Sequence, residues 1–249
     1  MSLVGLGPGD PSYLAGKAGE ALSKAEVVAG YKTYLQLVPQ DLLQGKETVS
    51  TGMKSEIERC ERAIDAALEG RRVAVICSGD PGIYAMAGLV FELLEQRGLS
   101  GSLPVEVIPG IPAFCAAAAL LGAPLMHDFA SVSLSDLLTP WEVIERRIRA
   151  AAEADFVLVI YNPKSKQRSW QLGQAIELLL QYREPTTPVG IVRNAYREGE
   201  SVWITTLSRL DAAKVDMLCT LICGNSQTRI LGSRMVTPRG YLEKYNSQL

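Results

Sequence analysis

A single histidine and no Cys-x-x-Cys pair occur in the 249 residues. The five cysteines, Cys60, Cys77, Cys115, Cys219 and Cys223, are scattered through apolar segments. Cys219 and Cys223 share a strand-like run, but only one histidine exists to complete a ligand set. That pattern argues against a zinc or iron–sulfur site; buried, reduced thiols and no metal are expected. No apolar run reaches the roughly 18 residues of a membrane helix, because Arg, Asp or Gly interrupts each one. An excess of one charge is also missing. Lys+Arg number 25 against 27 Asp+Glu, a formal net charge of −2, which excludes a strongly basic nucleic-acid platform. The first residues show no basic segment followed by an apolar one, and Leu3–Gly7 reads as a core strand. A cytoplasmic protein without membrane or nucleic-acid partners is expected.

What is present is the composition of a globular enzyme, 47% hydrophobic and 21% charged. A chain of this length can bury roughly 70–75% of its unfolded surface without disulfide or metal staples. Strand-like and helix-like segments alternate: Leu3–Leu6, Tyr13–Lys24, Ala25–Ala29, the amphipathic stretch from Ile57 to Leu68, Arg72–Cys77, Tyr84–Arg97, Val105–Ile108 and the Ala-rich Ala113–Leu121. This alternation predicts an α/β domain with a mostly parallel sheet over residues 1–121. Strand-like Phe156–Tyr161, Val189–Arg193, Ser201–Thr206, Leu218–Cys223 and Met235–Val236, with a helix over Trp170–Tyr182, predict a mixed sheet over 122–249. Helix-breaking Gly122-Ala123-Pro124 marks the expected boundary.

Three Gly/Pro loops follow predicted strands: Gly5-Leu-Gly-Pro-Gly-Asp10, Ser78-Gly-Asp-Pro-Gly82 and Pro109-Gly-Ile-Pro-Ala113. A dinucleotide fingerprint would need a third glycine where Asp10 stands, and Pro8 removes a backbone donor. Neither this nor Walker spacing is met, so a nucleotide-binding reductase or kinase is disfavoured. The first loop alone also reads as a tight turn after a core strand. Three together at strand ends make a ligand crevice.

His127, beside Asp128 and a stretch containing Ser131, Ser133 and Ser135, is either a structural residue or a proton carrier titrating near neutrality. Arg146, Arg147 and Arg149 read as a solvated helix face. Lys164, Lys166 and Arg168 follow a strand end, where their charges could hold carboxylates.

The loops Val4-Gly-Leu-Gly-Pro-Gly-Asp-Pro11, Cys77-Ser-Gly-Asp-Pro81 and Val107-Ile-Pro-Gly-Ile111 resemble those of the tetrapyrrole methylases. Five further stretches resemble, more narrowly, the precorrin-3B C17-methyltransferases of cobalamin biosynthesis. They are Gly30–Tyr34, Thr51–Glu56, the string from His127 to Trp141, Tyr161–Ser165 and Gly224–Thr228. The resemblance covers essentially the whole chain, and its most specific part is the His127–Trp141 string. It implies two α/β domains with an interdomain cleft, a homodimer, and S-adenosylmethionine folded into that cleft. Cofactor contacts carried over are Pro8, Gly79, Asp80, Ile83, Pro112, Ala113, Tyr161, Asn162, Asn194, Ala195, Thr220 and Thr237. Pro112 replaces a Ser or Thr of many relatives, so a hydroxyl contact is missing there.

The implied reaction methylates an electron-rich ring carbon of an anionic tetrapyrrole, with or without cobalt, at C17 and contracts the macrocycle. Holding the reactants in line is the main task and can contribute roughly 7–11 kcal/mol, which suits a chain with one histidine. His127 and Asp80 are the candidates for proton movement. Lys32, Lys54, Lys164, Lys166 and Arg168 are the candidate partners of the substrate's carboxylates. A methyltransferase acting at C11 or C20, or a non-catalytic tetrapyrrole-binding protein, are the alternatives.

Overall fold

The structure, a computed structural model, describes residues 1–52 and 55–246. The chain divides into two compact units, Met1–Ala113 and Phe114 onward. The division falls after the first residue of the Ala-rich helix, whereas the helix-breaking triplet placed the boundary beyond that helix.

In the first unit, β1 (Ser2–Gly5), α1 (Gly16–Lys24), β2 (Val27–Tyr31), α2 (Lys32–Leu35), β3 (Glu47–Thr51), α3 (Glu56–Leu68), β4 (Val73–Cys77), α4 (Met86–Gln96) and β5 (Glu106–Ile108) follow in order. The sheet runs β3-β2-β4-β1-β5 and is parallel throughout, with Leu3 level with both Val75 and Val107. Strand residues alternate between two cores, as a period of two requires. Leu3, Val73 and Val75 pack in one cluster with Ile64 of α3 and Val90 of α4. Val4, Ala74 and Ile76 pack in the other with Leu22 of α1. Burial on both faces explains why these strands read as unbroken apolar runs.

The predicted helix over Tyr13–Lys24 begins later, at Gly16, because Asp10 first caps a short 3₁₀ turn at Pro11–Tyr13. Its carboxylate accepts from the amide and hydroxyl of Ser12, at 2.8 and 2.7 Å. Likewise α4 cannot begin at Tyr84, whose φ of 51° lies outside the right-handed helical region.

The second unit opens with α5 (Ala113–Leu121), whose first residue ends the first unit, and β6 (Gly122–Ala123). There follow β7 (Phe129–Ser133), α6 (Trp141–Glu153), β8 (Val157–Tyr161), α7 (Gln171–Leu179), β9 (Pro188–Arg193), β10 (Ser201–Thr206), β11 (Cys219–Cys223), β12 (Arg229–Leu231), β13 (Arg234–Val236) and α8 (Tyr241–Asn246). The main sheet, β10-β9-β11-β8-β7, is mixed: β7 and β8 are parallel, whereas β11 is antiparallel to β8 and β9. A small sheet, β12-β13-β6, lies in the same unit. Strand β7 was not evident in the sequence; its Ser131 and Ser133 belong to an edge strand rather than a free polar stretch. Leu158 and Ile160 face α6 and α7, while Val157 and Val159 face Ala117 and Leu121 of α5. Leu121 fits because Gly190 has no side chain; a Cβ there would lie 2.4 Å from Leu121 Cδ1.

Among the described residues no helix is long and apolar enough to cross a membrane, and no cluster of His, Cys, Asp and Glu could hold a metal ion. Four cysteines are buried as expected, but Cys115 is exposed, because its position on α5 points away from the core that Ala116 and Ala117 enter. Burial pushes the Cys60, Cys77 and Cys219 thiols up to about 11 and the Cys223 thiol to about 12. The thiolate is the reacting form. Alkylation of the native protein at pH 8 is therefore expected to mark Cys115 alone, and denaturant to expose all five cysteines, as counted by peptide mass spectrometry.

Candidate functional site

The carboxyl ends of β4, β1 and β5 are adjacent, so the three Gly/Pro loops gather at one edge of the first unit's sheet. They interlock backbone to backbone. Gly7 N donates to Gly79 O at 3.0 Å, Leu6 N to Cys77 O at 2.9 Å, and Ile111 N to Gly7 O at 3.4 Å. A Cβ on Gly7 would sit 2.0 Å from Ile111 O; one on Gly110 would sit 2.2 Å from Gly79 O. Gly79 itself has a φ of +74°, which other residues adopt only with strain. Glycine here serves close approach between loops.

Asp80 clasps two of these loops. One carboxylate oxygen accepts from Gly82 N at 2.8 Å and the other from Gly110 N at 3.2 Å. With both oxygens engaged by backbone, the residue orders the crevice rather than standing free as an acid or base. Pro8 and Gly79 are buried, and Ile83, Pro112 and Ala113 are half-buried at the same edge. Lys32, on α2, is exposed, and Lys54 lies outside the described residues.

In the second unit the strand directions put two groups at opposite ends of one sheet. Ser133, Tyr161, Asn162, Asn194, Ala195 and Thr220 lie at one end, set by the pairings Ser133↔Tyr161, Cys219↔Arg193 and Thr220↔Val192. Asn162 and Asn194 each follow a strand and each have left-handed backbone, φ 49° and 50°. Asparagine is among the few side-chain-bearing residues that tolerate this, and such outliers gather at functional sites. Asn162 Nδ2 donates to Ser133 Oγ at 2.9 Å, and the Tyr161 hydroxyl accepts from Phe114 N at 3.0 Å.

His127 and Thr237 are not brought to this group. His127 precedes β7, and the strand alone separates the two ends by roughly 13 Å at about 3.3 Å per residue. It is exposed, with Nδ1 accepting from Asp128 N at 2.8 Å. Thr237 is fully buried, its Oγ1 2.8 Å from that of Thr228. It belongs to a polar knot at His127's end of the sheet, where Asn225 accepts from Gln227 N and Thr228 Oγ1. The buried Arg183 guanidinium donates there to the carbonyls of Gly224, at 2.5 Å, and Phe156. The stretch Gly224–Thr228 is thereby explained as a locked turn.

The cationic loop also divides. Lys166 is exposed, but Lys164 Nζ donates to Ala212 O at 2.9 Å, and Arg168 is 9% exposed with its guanidinium turned inward. Arg168 therefore reaches no substrate carboxylate from a surface, because backbone carbonyls already occupy it. The helix face at Arg146, Arg147 and Arg149 is as expected; Arg149 pairs with Glu145 at 2.9 Å. The sequence singled out Ser133 only as part of the hydroxyl-rich stretch beside His127; that it partners Asn162 depends on the parallel pairing of β7 with β8.

A model of the tetrapyrrole (corrin/porphyrin) methylases matches residues 1–211, and the chain belongs to this family. Within it, the chain is 51% identical to a probable cobalt-factor III C(17)-methyltransferase of Salmonella typhimurium, over 97% of this chain and 99% of that one. The crystal structure of the methyltransferase CobJ superposes with a TM-score of 0.90 at 36% identity, covering 95% of this chain and 98% of that one. A uroporphyrin-III C-methyltransferase from Thermus thermophilus, solved with S-adenosylhomocysteine, gives 0.66 at 28% identity, covering 90% and 96%. The chain spans about half the length of several other curated relatives it matches.

The interlocked loops make a paired expectation. Gly110→Ala forces backbone against backbone and should cost about 2 kcal/mol or more of stability, as strained and overpacked sites do. Gly88→Ala, in the exposed part of α4 with open space around it, should instead add about 0.5–1 kcal/mol through helix propensity. Thermal melting of the two variants checks both signs.

Proposed function

We propose that the chain transfers the methyl group of S-adenosylmethionine to C17 of a cobalt-factor III-type tetrapyrrole, with ring contraction, in cobalamin biosynthesis. The observation that carries this reading is near-complete, two-way coverage at 51% identity with a relative of that name. A tetrapyrrole methylase requires a methyl donor, and a solved family member binds the demethylated form of this one. When bound, the donor would supply an activated S–CH₃ group whose methyl passes to the ring carbon, the sulfonium becoming a neutral thioether.

The protein's part is orientation. Pro8, Gly79, Asp80, Ile83, Pro112 and Ala113 of the first unit are the proposed cofactor contacts there. Tyr161, Asn162, Asn194, Ala195 and Thr220 are those of the second. Asp80 supports this by fixing the loop edges, and the two asparagines by holding left-handed backbone at strand ends. The exposed Lys32 and Lys166 are the proposed partners of the substrate's carboxylates. We propose a homodimer, working in the cytoplasm; exposed Ile230 and Leu231 on β12 and Tyr241, Leu242 and Tyr245 on α8 offer apolar surface for a second copy.

Calorimetry should find one S-adenosylhomocysteine site per chain. Asp80→Ala should weaken it about tenfold or more, the scale of lost hydrogen bonds to a charged group. Mass spectrometry of the product from cobalt-factor III should show one added methyl group, placed at C17 by NMR; a product methylated at C11 or C20 refutes the assignment. Lys32→Gln with Lys166→Gln should raise the tetrapyrrole KM by about two- to fivefold at low salt, since exposed pairs are weak and screened. The KM of S-adenosylmethionine should stay constant, and an unchanged tetrapyrrole KM would remove these lysines from the substrate site.

A further inference from the structure

The loop 164–168 looks from its charges like a surface grip, yet its most buried member points the other way. Arg168 Nη1 donates to Asn162 O at 2.6 Å and to Leu134 O at 3.1 Å, and Nη2 to Met217 Sδ at 3.2 Å. Its nearest carboxylate, Asp136, is 4.0 Å from Nε and spends its other oxygen on Gln171 Nε2 at 2.8 Å. One guanidinium thus joins three segments at one end of the sheet: the turn after β7, the turn after β8 and the approach to β11.

Burying a cation among carbonyls and a thioether, with its carboxylate at the edge of ion-pair distance, is a costly way to fill space. A compensating gain is visible at Asn162. That residue is held at φ 49° although it precedes Pro163, a context that ordinarily favours extended backbone. It is fixed from two sides, its carbonyl by Arg168 and its side chain by Ser133 Oγ. Met217 leads into Leu218, whose carbonyl accepts from Asn194 N at 3.1 Å, so the segment that Arg168 contacts also binds the second left-handed asparagine. A lysine could not replace it, because a point charge lacks the planar fork that reaches divergent acceptors.

We propose that Arg168 is a positioning residue for methyl transfer: it holds the Asn162 backbone in its left-handed turn and thereby presets the second unit's contacts to S-adenosylmethionine. This rests on the proposed cofactor role of Asn162. Arg168 itself touches neither reactant.

The test is a double-mutant cycle on the full chain, read by calorimetry with S-adenosylhomocysteine as the probe. Arg168→Lys should raise Kd about tenfold. Asn162→Gly, which removes a proposed cofactor contact and the bond to Ser133 but accepts the left-handed turn without strain, should itself weaken binding by about three- to tenfold. In that glycine background Arg168→Lys should then cost less than about threefold, because the turn no longer needs holding. If Arg168→Lys lowers the melting temperature but leaves Kd within twofold, or if the two effects add, the proposal is overturned. A parent chain that binds no S-adenosylhomocysteine overturns the cofactor reading as well, which separates the two failures. Should Arg168→Lys not fold, Met217→Leu, which removes only the thioether acceptor, takes its place. It should raise Kd about two- to fivefold in the parent and not in the Asn162→Gly chain; equal effects in both would refute the proposal.

Discussion

Backbone-to-backbone contact between three loops is the constraint on which the carboxyl-end loops of the first unit's sheet depend. Gly5, Gly7 and Gly110 approach Gly79 and Ile111 so closely that a single added carbon at Gly7 or Gly110 would overlap a carbonyl oxygen. Main-chain hydrogen bonds then join the loops, and the Asp80 side chain ties two of them together. These contacts are made by atoms every residue has, so the geometry of the edge is set by backbone and by Asp80. A reaction governed by in-line orientation of two reactants suits such an edge, since it asks for fixed geometry more than for proton transfer.

The second unit reaches the same rigidity by other means. Its strand ends are organised by buried guanidinium groups, Arg168 at one end and Arg183 at the other, each surrounded mainly by carbonyl oxygens. Desolvation lowers the pKa of both, yet arginine remains charged because its starting value is so high. Each cation gathers segments distant in sequence: 134, 162 and 217 for Arg168, and 156 and 224 for Arg183. The ends differ in what they leave open. At the Arg183 end the polar atoms of Asn225, Thr228 and Thr237 satisfy one another, whereas at the Arg168 end two asparagines hold left-handed backbone at strand termini.

The single histidine illustrates how residue type and position diverge. Imidazole is the side chain most often used for proton transfer, but the direction of β7 carries His127 to the far end of the sheet from Tyr161 and Asn162. Thr237, which the family resemblance carries over as a cofactor contact, has its hydroxyl 2.8 Å from that of Thr228 in the buried knot. The loop lysines and arginine, alike by charge, take three different surroundings: solvent for Lys166, the Ala212 carbonyl for Lys164, and a closed shell of acceptors for Arg168.

Local chemistry written in the sequence determined much of this protein. The apolar strand runs, the period of α3 and the Gly/Pro punctuation set the element order, because burial on two faces and helix periodicity leave their pattern in adjacent residues. The glycine loops and the His127–Trp141 string were likewise enough to indicate the family. Only the tertiary structure decided which loops touch, that β7 is a strand, that Cys115 is exposed, and that Arg168 points inward. Those outcomes depend on strand order, strand direction and contacts between residues far apart in the chain. A sequence read segment by segment carries no direct record of them, because the same Arg or His is stable in solvent or in a buried shell, and its neighbours in space make the choice.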